Sequence, residues 1–287
     1  MLAVISGQTK IYGLIGFPVR QTFSPPMHNA AFAAAGLDAV YLPFPVAPGS
    51  LPDAVRGLRG LGIAGWNVTL PYKTAVIALL DEIEPEAKAA GTVNTVLNRS
   101  GHLYGCSTDG AGFLLSLAEK AVEVADKAVL LLGAGGAARA VAFSLMREGV
   151  GRFMIANRTA EKAENLAVKL RNSGGRTRPV KTLPWCAEAI DTAAAAADII
   201  INATSLGLKP RTDPVIPLSF DKVSRECIVC DLTYNPPLTP LLAAAAARGL
   251  RTVGGCGMLL YQAAAAFELW TGRKAPVEVM RQALPVI

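Results

Sequence analysis

Charged side chains are sparse in this sequence, and none of its basic residues form a dense run. Charged residues make up 17% of the 287 residues and hydrophobic residues 52%, a balance that argues against extensive disorder. The formal net charge is +6, but lysine and arginine are spread along the chain without interleaved aromatic residues, so we expect no nucleic-acid partner. A small anionic ligand accounts for the positive charge at least as well.

The sequence also lacks the patterns of metal sites and disulfide frameworks. His28 and His102 are far apart and have no spaced Cys, His or acidic neighbours, so we predict no bound metal. The five cysteines are odd in number and irregularly spaced, in a chain too large to need disulfide staples, which indicates a reducing compartment. Cys227 and Cys230 have redox spacing but fall inside a strand-like run, where we predict a structural role.

No segment has the pattern of a signal peptide or a membrane span. Residues 1–10 lack a cationic start followed by an apolar core. The most apolar window, residues 128–146, is interrupted by glycines and by Arg139 and so does not predict a bilayer-spanning helix. We therefore expect a cytoplasmic protein that acts on a small molecule and has no membrane partner.

What the sequence does contain is an alternation of short apolar runs with helical stretches, which is typical of an α/β fold. The length allows two modest domains, and strands separated by helices need crossover connections, hence mainly parallel sheets. In the first part we predict a strand pair over 90–97 and 102–106, then a helix over 110–120. The predicted elements of the second part are strands 128–132, 153–156, 199–202 and 227–232, and helices 137–148 and 160–170.

The turn Gly133-Ala134-Gly135-Gly136 follows the first of these strands and opens a helix. The second strand ends about 20 residues further on, as in a dinucleotide-binding fold. The glycines let the backbone approach a pyrophosphate, and the helix N-terminus supplies free N–H groups and a partial positive charge. A glycine turn that merely ends a strand is the alternative, but the context favours a dinucleotide.

The residues at the end of that second strand, Asn157-Arg158-Thr159, distinguish between the two nicotinamide cofactors. An NAD site usually places an acidic residue there for the ribose hydroxyls, and this sequence has none. Arg158 can pair with a 2′-phosphate, while Asn157 and Thr159 offer neutral hydrogen bonds to the same anion, so the triplet favours NADP. The alternative is that Arg158 is only a solvated residue at a helix start.

Polar clusters also end two apolar runs, one leading to Lys73 and the other to Asp109. Oxidation of a hydroxyl needs a group that takes its proton, and a lysine beside a carboxylate can do this. Spacing alone leaves open an ordinary surface ion pair.

Thr22 and Ser24 place two hydroxyls on one side of an extended segment, where they could bind a carboxylate, or Ser24 could simply cap a helix. Residues 254–258 read as a flexible turn before a helix over 259–270.

Taken together, these motifs resemble the shikimate dehydrogenase family. Each motif is modest alone, but the ordered set covers nearly the whole chain and is highly specific. The resembling segments, in order, are residues 16–28, 67–73, 90–95, 107–112, 131–140, 157–159, 202–207, 231–240 and 255–262.

The resemblance implies an α/β fold of two domains separated by a cleft. One is an N-terminal α/β substrate domain with a mostly parallel sheet, over residues 1–110 and completed by C-terminal helices at about 258–287. The other is a Rossmann-type NADP-binding domain over residues 111–257. It further implies a cytoplasmic oxidoreductase, a monomer or homodimer, that reduces 3-dehydroshikimate to shikimate with NADPH in aromatic amino-acid biosynthesis.

The resemblance also assigns roles to residues. Lys73 is the expected acid/base, with Asp109 beside it binding a hydroxyl and orienting the lysine. Thr22 and Ser24 are expected to hold the substrate carboxylate. The other expected substrate-binding residues are Thr69, Asn94, Tyr234, near the nicotinamide, and Gln262. The expected cofactor-binding residues are Gly133, Ala134, Gly135, Gly136, Ala137, Asn157, Arg158, Thr159, Thr204 and Gly255.

One departure from the family pattern bears on the substrate. Where the family usually has His-Ser-x-Ser-Pro, this chain has Gln21-Thr22-Phe23-Ser24-Pro25, which keeps the first hydroxyl but adds a methyl group. Quinate/shikimate dehydrogenase and aminoshikimate dehydrogenase therefore remain close alternatives. A non-catalytic regulator that binds the same ligand is an alternative from another class, against which the retention of Lys73 and Asp109 argues.

Overall fold

The computed structural model describes residues 5–173, 178–208 and 216–284. Its contacts divide the chain into two compact units, residues 1–112 with 260–287 and residues 113–259. Both divisions fall two residues beyond the boundaries predicted after residues 110 and 257. The C-terminal segment therefore packs with the N-terminal part of the chain.

The N-terminal part of the first unit alternates strands and helices. Its elements are β1 (Lys10–Gly16), α1 (Ser24–Ala34), β2 (Ala39–Pro45), α2 (Leu51–Gly60), β3 (Gly65–Val68), a 3₁₀ helix (Ala75–Leu79), β4 (Glu82–Ile83), α3 (Pro85–Ala90), β5 (Thr95–Arg99) and β6 (His102–Cys106). The next helix, α4 (Asp109–Glu119), begins in the first unit, and the boundary after residue 112 falls within it.

Within the described residues these strands form one six-stranded sheet in the order β2-β1-β3-β5-β6-β4. β1 pairs in parallel with β2 and β3, and β4 with β6, whereas β5 is antiparallel to both of its neighbours. The predicted strand 90–97 was wrong at its start, because Pro85–Ala90 forms α3 and the strand begins at Thr95. Ser100 and Gly101 join β5 to β6 with positive φ values of 53° and 94°, the conformation of a two-residue hairpin turn.

The second unit is a doubly wound parallel sheet. Its strands, within the described part of the chain, have the order β12-β11-β10-β7-β8-β9, and all their pairings are parallel, as predicted. Its elements are β7 (Ala128–Leu132), α5 (Gly136–Arg147), β8 (Arg152–Ala156), α6 (Ala160–Arg171), β9 (Val180–Leu183), α7 (Ala187–Ala195), β10 (Ile199–Asn202), β11 (Ile228–Asp231), α8 (Pro240–Ala247) and β12 (Arg251–Val253).

The central strand β7 explains why this unit has a core on each face. All five of its residues are buried, and successive side chains of a strand point to opposite faces. Val129 and Leu131 accordingly belong to one apolar cluster, and Leu130 and Leu132 to another. The strand order reverses between β7 and β10, and ligands of such sheets bind outside the carboxyl ends of the strands at this point.

Two C-terminal helices complete the chain, α9 (Gly255–Thr271) and α10 (Val277–Gln282). The predicted flexible turn over 254–258 was wrong, because α9 already begins at Gly255. These glycines serve close packing: a Cβ on Gly255 would lie 2.5 Å from the Leu232 carbonyl oxygen, and one on Gly257 would lie 2.9 Å from Ser116 Cβ. Of the helices in the described ranges, none is both long and apolar enough to cross a bilayer.

Candidate functional site

Lys73 and Asp109 meet in the first unit. Lys73 lies in the segment after β3, and Asp109 begins α4 just after β6. The Lys73 ammonium contacts Asp109 Oδ2, and the two side chains are only 14% and 4% exposed. This is a largely buried pair, so the alternative of an ordinary surface ion pair was wrong. A desolvated ammonium in contact with a fixed carboxylate is suited to exchanging a proton with a bound hydroxyl.

Asn94 holds the other carboxylate oxygen of Asp109. Asn94 Nδ2 lies 2.9 Å from Asp109 Oδ1, 2.9 Å from Thr108 Oγ1 and 3.2 Å from Gln262 Oε1. The amide orientation is fixed from the opposite side, because the Thr108 backbone N–H donates to Asn94 Oδ1 at 2.7 Å. The structure therefore brings Lys73, Asp109, Asn94 and Gln262 into one cluster.

Gln262 reaches this cluster from inside α9. The sequence placed it in the first turns of a helix starting at residue 259, which was wrong because α9 begins at Gly255. A Cβ on Gly112 would lie 2.6 Å from the Gln262 backbone nitrogen, so the absence of a side chain there lets α4 and α9 approach closely. This close packing carries the Gln262 side chain to Asn94.

A second layer of buried polar residues supports the cluster, a role that the sequence analysis did not assign to them. Asn67, in β3, donates from Nδ2 to Thr95 Oγ1 at 3.1 Å and to the Asn94 carbonyl at 3.1 Å. Its Oδ1 accepts a 2.7 Å hydrogen bond from the hydroxyl of Tyr41, which is fully buried. Asn67 stood out as a polar residue in an apolar run, whereas Tyr41 gave no sequence signal because it lies in an ordinary strand pattern.

Thr22 and Ser24 place their hydroxyls together, although not for the reason predicted. The segment is not extended, because Phe23 has φ −94° and ψ 0° and Ser24 is already the first residue of α1. The Thr22 hydroxyl lies 3.2 Å from Ser24 Oγ, and Thr22 Oγ1 accepts from the Ser24 backbone N–H at 3.3 Å. Two hydroxyls and a helix N-terminus therefore lie side by side, an arrangement able to bind a carboxylate.

Thr69 follows β3 and is partly exposed. Its backbone N–H donates to the Ile15 carbonyl at 2.9 Å, which places it where β1 and β3 end. A short loop connects this end of β1 to Ser24, the first residue of α1. No described contact joins the Thr69 hydroxyl to Lys73 or to the Thr22 and Ser24 pair, so its predicted role stays a prediction.

In the second unit, the glycine turn lies at the carboxyl end of β7, where the strand order reverses. Gly133 has φ +113°, and a Cβ there would lie 2.9 Å from the Ala203 carbonyl oxygen, so the fold itself requires glycine at this position. Gly135 differs: it has φ −76°, and a Cβ there would meet no atom within 4 Å. The protein leaves this space open beside exposed backbone, which fits the close approach of a dinucleotide pyrophosphate.

Asn157, Arg158 and Thr159 follow β8 in the same unit. Asn157 Nδ2 donates to the Thr159 carbonyl at 2.8 Å, and Thr159 is the residue before α6. Arg158 and Thr159 are exposed, and Arg158 forms no ion pair within the described part of the chain. An exposed, unpaired guanidinium beside a helix N-terminus fits a phosphate ligand.

Thr204 and Gly255 have local structural roles that explain their identities. The Thr204 hydroxyl donates to Asn202 Oδ1 at 2.7 Å and accepts from the Leu206 backbone N–H at 3.1 Å. Gly255 is required by its packing against the Leu232 carbonyl. These contacts shape the loop ends of the second unit and leave the predicted cofactor contacts of both residues as predictions.

A buried carboxylate, missed at the sequence level, organises the loop that carries Tyr234. Asp231 ends β11 and accepts hydrogen bonds from Asn202 Nδ2 at 2.9 Å, from the Thr233 backbone N–H at 2.9 Å and from Thr239 Oγ1 at 2.7 Å. Burial raises the pKa of Asp231, and these hydrogen bonds oppose the rise. Tyr234, three residues later, is partly exposed.

The remaining polar groups give no support to other chemistry. Across residues 5–173, 178–208 and 216–284, no group of three His, Cys, Asp or Glu side chains could hold a metal ion. All five cysteines are free, and burial raises the pKa of the Cys227 thiol to about 12, so this thiol stays protonated and unreactive at neutral pH.

Three family models match the chain. The model described as shikimate dehydrogenase substrate binding domain matches residues 14–96. The model described as shikimate / quinate 5-dehydrogenase matches residues 116–216, and the model described as shikimate 5'-dehydrogenase C-terminal domain matches residues 255–284. The matched segments fall on both units of the structure.

Individual relatives align with almost the whole chain. A protein of Desulforamulus reducens named shikimate dehydrogenase (NADP(+)) is 45% identical over 281 residues, covering 98% of this chain and 96% of its own. A solved shikimate dehydrogenase in complex with NADP+ has a TM-score of 0.88 at 41% identity, with 98% and 96% of the two chains covered. The Thermus thermophilus enzyme in complex with NADP(H) and shikimate has a TM-score of 0.84 at 35% identity, with 96% and 98% covered.

Proposed function

The chain belongs to the shikimate dehydrogenase family, and on that premise we propose that it catalyses the reversible reduction of 3-dehydroshikimate to shikimate with NADPH, a step of aromatic amino-acid biosynthesis. The observation that carries the proposal is the buried contact between Lys73 and Asp109. A non-catalytic regulator of the same fold would have no use for a desolvated proton-exchanging pair, whose burial costs free energy.

NADP, when bound, supplies the hydride acceptor for alcohol oxidation and the hydride donor for the reverse reaction. The N–H groups at the start of α5 and the open space at Gly135 fit its pyrophosphate, and Arg158 fits its 2′-phosphate. Asn157 and Thr159 lie beside Arg158 and would add hydrogen bonds to that phosphate. Ala134, Gly136, Ala137, Thr204 and Gly255 complete the proposed cofactor-binding set.

Lys73 would manage the proton of the reacting hydroxyl. As the hydride leaves the carbon during oxidation, the Lys73 amine would take the hydroxyl proton; in the reduction, the ammonium would return it to the carbonyl oxygen. Asp109 would orient the lysine through Oδ2 while Asn94 keeps Oδ1 in place. The fixed carboxylate thereby keeps Nζ aimed at one position instead of several.

The remaining proposed contacts fit a substrate that is a hydroxylated carboxylic acid. Thr22 and Ser24 would bind the carboxylate, and Thr69, Asn94, Tyr234 and Gln262 would bind hydroxyls or neighbouring groups. A ligand with several hydroxyls needs such partners, because each buried polar group left unpaired costs about 1–3 kcal/mol. Quinate or aminoshikimate is the second candidate substrate, since the Thr22 methyl changes the carboxylate end of the site.

Initial rates of NADPH formation with shikimate test the proposal directly. We expect saturable turnover of shikimate with NADP and accumulation of 3-dehydroshikimate. If the chain binds shikimate and NADP in calorimetric titrations but produces no NADPH, it is a regulator and the proposal fails. Turnover of quinate or aminoshikimate in place of shikimate would keep the mechanism and change the substrate.

The domain roles and cellular setting follow as parts of the same proposal. We assign substrate binding to residues 1–110 with 258–287, and NADP binding to residues 111–257. A cytoplasmic location is supported by the free state of all five cysteines and by the biosynthetic reaction. A chain of this kind would act as a monomer or a homodimer.

A further inference from the structure

Arg139 is a charged residue in the first turns of α5 to which the proposed function assigns no role. It is the fourth residue of the helix that begins at Gly136, and its Nε–H donates to the Ala134 carbonyl, inside the glycine turn, at 3.4 Å. The side chain therefore folds back toward the helix N-terminus, as long side chains of a helix do. This brings a guanidinium to the turn that is proposed to bind the cofactor.

The electrostatic surroundings of Arg139 are unfavourable for a cation. The N-terminus of a helix carries a partial positive charge, which repels another positive charge. Partial burial lowers the pKa of the Arg139 guanidinium, and the first turn of α5 has no acidic residue. Arg139 also forms no ion pair with any residue in the described ranges. A bound anion would compensate the positive charge of Arg139 and of the helix N-terminus.

The donor geometry identifies the kind of anion. A guanidinium has five N–H donors in a planar fork that matches phosphate oxygens. Only Nε has a partner among the described residues, which leaves the terminal nitrogens available. Gly135, at the N-cap of α5, lies four residues before Arg139 and so on the same helix face, where the space for a ligand is open.

We infer that Arg139 is a further cofactor-binding residue, whose guanidinium contacts the pyrophosphate of NADP at the glycine turn. The inference rests on the proposed function, which supplies the dinucleotide. Two cations would then contact different phosphates of the cofactor. Arg139, at the turn after β7, binds the pyrophosphate shared by NADP and NAD. Arg158, at the end of β8, binds the 2′-phosphate that only NADP has.

Equilibrium titrations with three ligands test this division. NADP has both groups, NAD has only the pyrophosphate, and adenosine 2′-monophosphate has only the 2′-phosphate. We expect Arg139→Met to raise the Kd of NADP and of NAD about tenfold each, the range for loss of a charge-assisted contact, and to leave the Kd of adenosine 2′-monophosphate unchanged. Arg158→Gln is expected to weaken NADP and adenosine 2′-monophosphate and to leave NAD unchanged.

Two controls separate charge from structure. Arg147→Met removes a cation from the last turn of the same helix and should leave all three Kd values unchanged. Arg139→Lys, which keeps the charge but not the fork, should recover part of the affinity. The NADP affinity of Arg139→Met should also depend less on salt concentration than that of the parent, a change that distortion of the turn alone would not produce.

The outcomes distinguish failure of the inference from failure of the proposed function. If Arg139→Met binds NADP and NAD as tightly as the parent, or weakens adenosine 2′-monophosphate as much as NADP, Arg139 does not bind the pyrophosphate. Unchanged salt dependence with weakened binding would mean that Arg139 only shapes the turn. If the parent chain itself binds neither dinucleotide, the proposed function fails before any variant is compared.

Discussion

Asp109 is the most constrained of the residues proposed for catalysis. Lys73 contacts one carboxylate oxygen, and Asn94 donates to the other at 2.9 Å. The carboxylate is 4% exposed, so water competes little for either contact. The carboxylate is therefore held in place at both oxygens, and we propose that it keeps Lys73 directed at the reacting hydroxyl, with which the lysine exchanges a proton.

Replacing Lys73 should therefore affect the chemical step more than binding. We expect Lys73→Met to lower kcat by about 10²–10⁴-fold, the range for lost acid/base catalysis, with a smaller change in the KM for shikimate. Steady-state kinetics with Lys88→Met, an exposed lysine of α3, provide the control. A near-normal kcat for Lys73→Met would rule out its role in proton transfer.

His28 makes the stability of the first unit depend on pH. It is fully buried, neither ring nitrogen has a hydrogen-bond partner, and its ring stacks on Tyr41 with 4.3 Å between centroids. Burial lowers the pKa of His28 from 6.5 to about 3. Between these values the unfolded chain binds a proton that the folded chain does not, so stability falls as the pH decreases from 6.5 toward 3.

His28→Phe removes this titration and keeps an aromatic ring in the stack. When the pH is lowered from 7 to 4, we expect the free energy of unfolding of the parent to fall by about 2–3 kcal/mol more than that of His28→Phe. Denaturant unfolding at both pH values measures this, with His102→Gln, an exposed histidine, as the control. Parallel pH profiles for His28→Phe and the parent would contradict the burial of a neutral His28.

Single residues also show what could be read from the sequence. Lys73 and Asp109 were predictable as candidates because they follow apolar runs, but only the fold shows that they meet and exclude water. The hydroxyl pair Thr22 and Ser24 was predicted from the wrong conformation, because the helix start at Ser24 overrides the extended geometry. Tyr41 was unpredictable, since its role depends on the partner that another strand brings to its hydroxyl.

At the scale of elements, the strand–turn–helix unit β7–α5 uses its glycines for two different reasons. At Gly133 the positive φ and the nearby Ala203 carbonyl mean that the fold needs glycine. At Gly135 the backbone is ordinary and the space beyond it is empty of protein, so we propose that the need for glycine there comes from the ligand. A substitution at Gly133 should therefore mainly affect stability, and a substitution at Gly135 should mainly affect cofactor binding.

Alanine substitutions test that separation. We expect Gly133→Ala to lower the free energy of unfolding by more than about 1 kcal/mol, the cost of a strained left-handed residue and a backbone clash. Gly135→Ala should change stability by less than about 1 kcal/mol, because the lower entropy of the unfolded chain and the poorer N-cap residue oppose each other, while raising the Kd of NADP at least about tenfold. Thermal unfolding and NADP titration of both variants measure these effects. Normal NADP binding by Gly135→Ala would show that no ligand occupies this space.

The elements that were predicted correctly are those whose pattern is local. β7 and β10 have the predicted bounds, Ala128–Leu132 and Ile199–Asn202, because continuous apolar runs specify buried parallel strands. The start of α9 was missed because glycines at 255 and 257 disfavour a helix locally. Tertiary packing against Leu232 and Ser116 reverses that preference, and such packing cannot be read from a local window.

At the scale of the whole molecule, we propose that the two units provide different parts of one reaction. The first unit contains the Lys73 and Asp109 pair and the Thr22 and Ser24 hydroxyls, and the second contains the glycine turn and Arg158. The doubly wound sheet of the second unit is suited to a dinucleotide but says nothing about the substrate. On this proposal, the choice of cofactor depends on the second unit, and the choice of substrate depends mainly on the first.

The most direct test of this account is a matrix of kcat/KM values for shikimate and quinate, each measured with NADP and with NAD. We predict the highest value for shikimate with NADP, and a loss of at least about tenfold when NAD replaces it, because Arg158 then lacks the 2′-phosphate. Absence of NADP-linked turnover of shikimate, or equal values with the two cofactors, would contradict it.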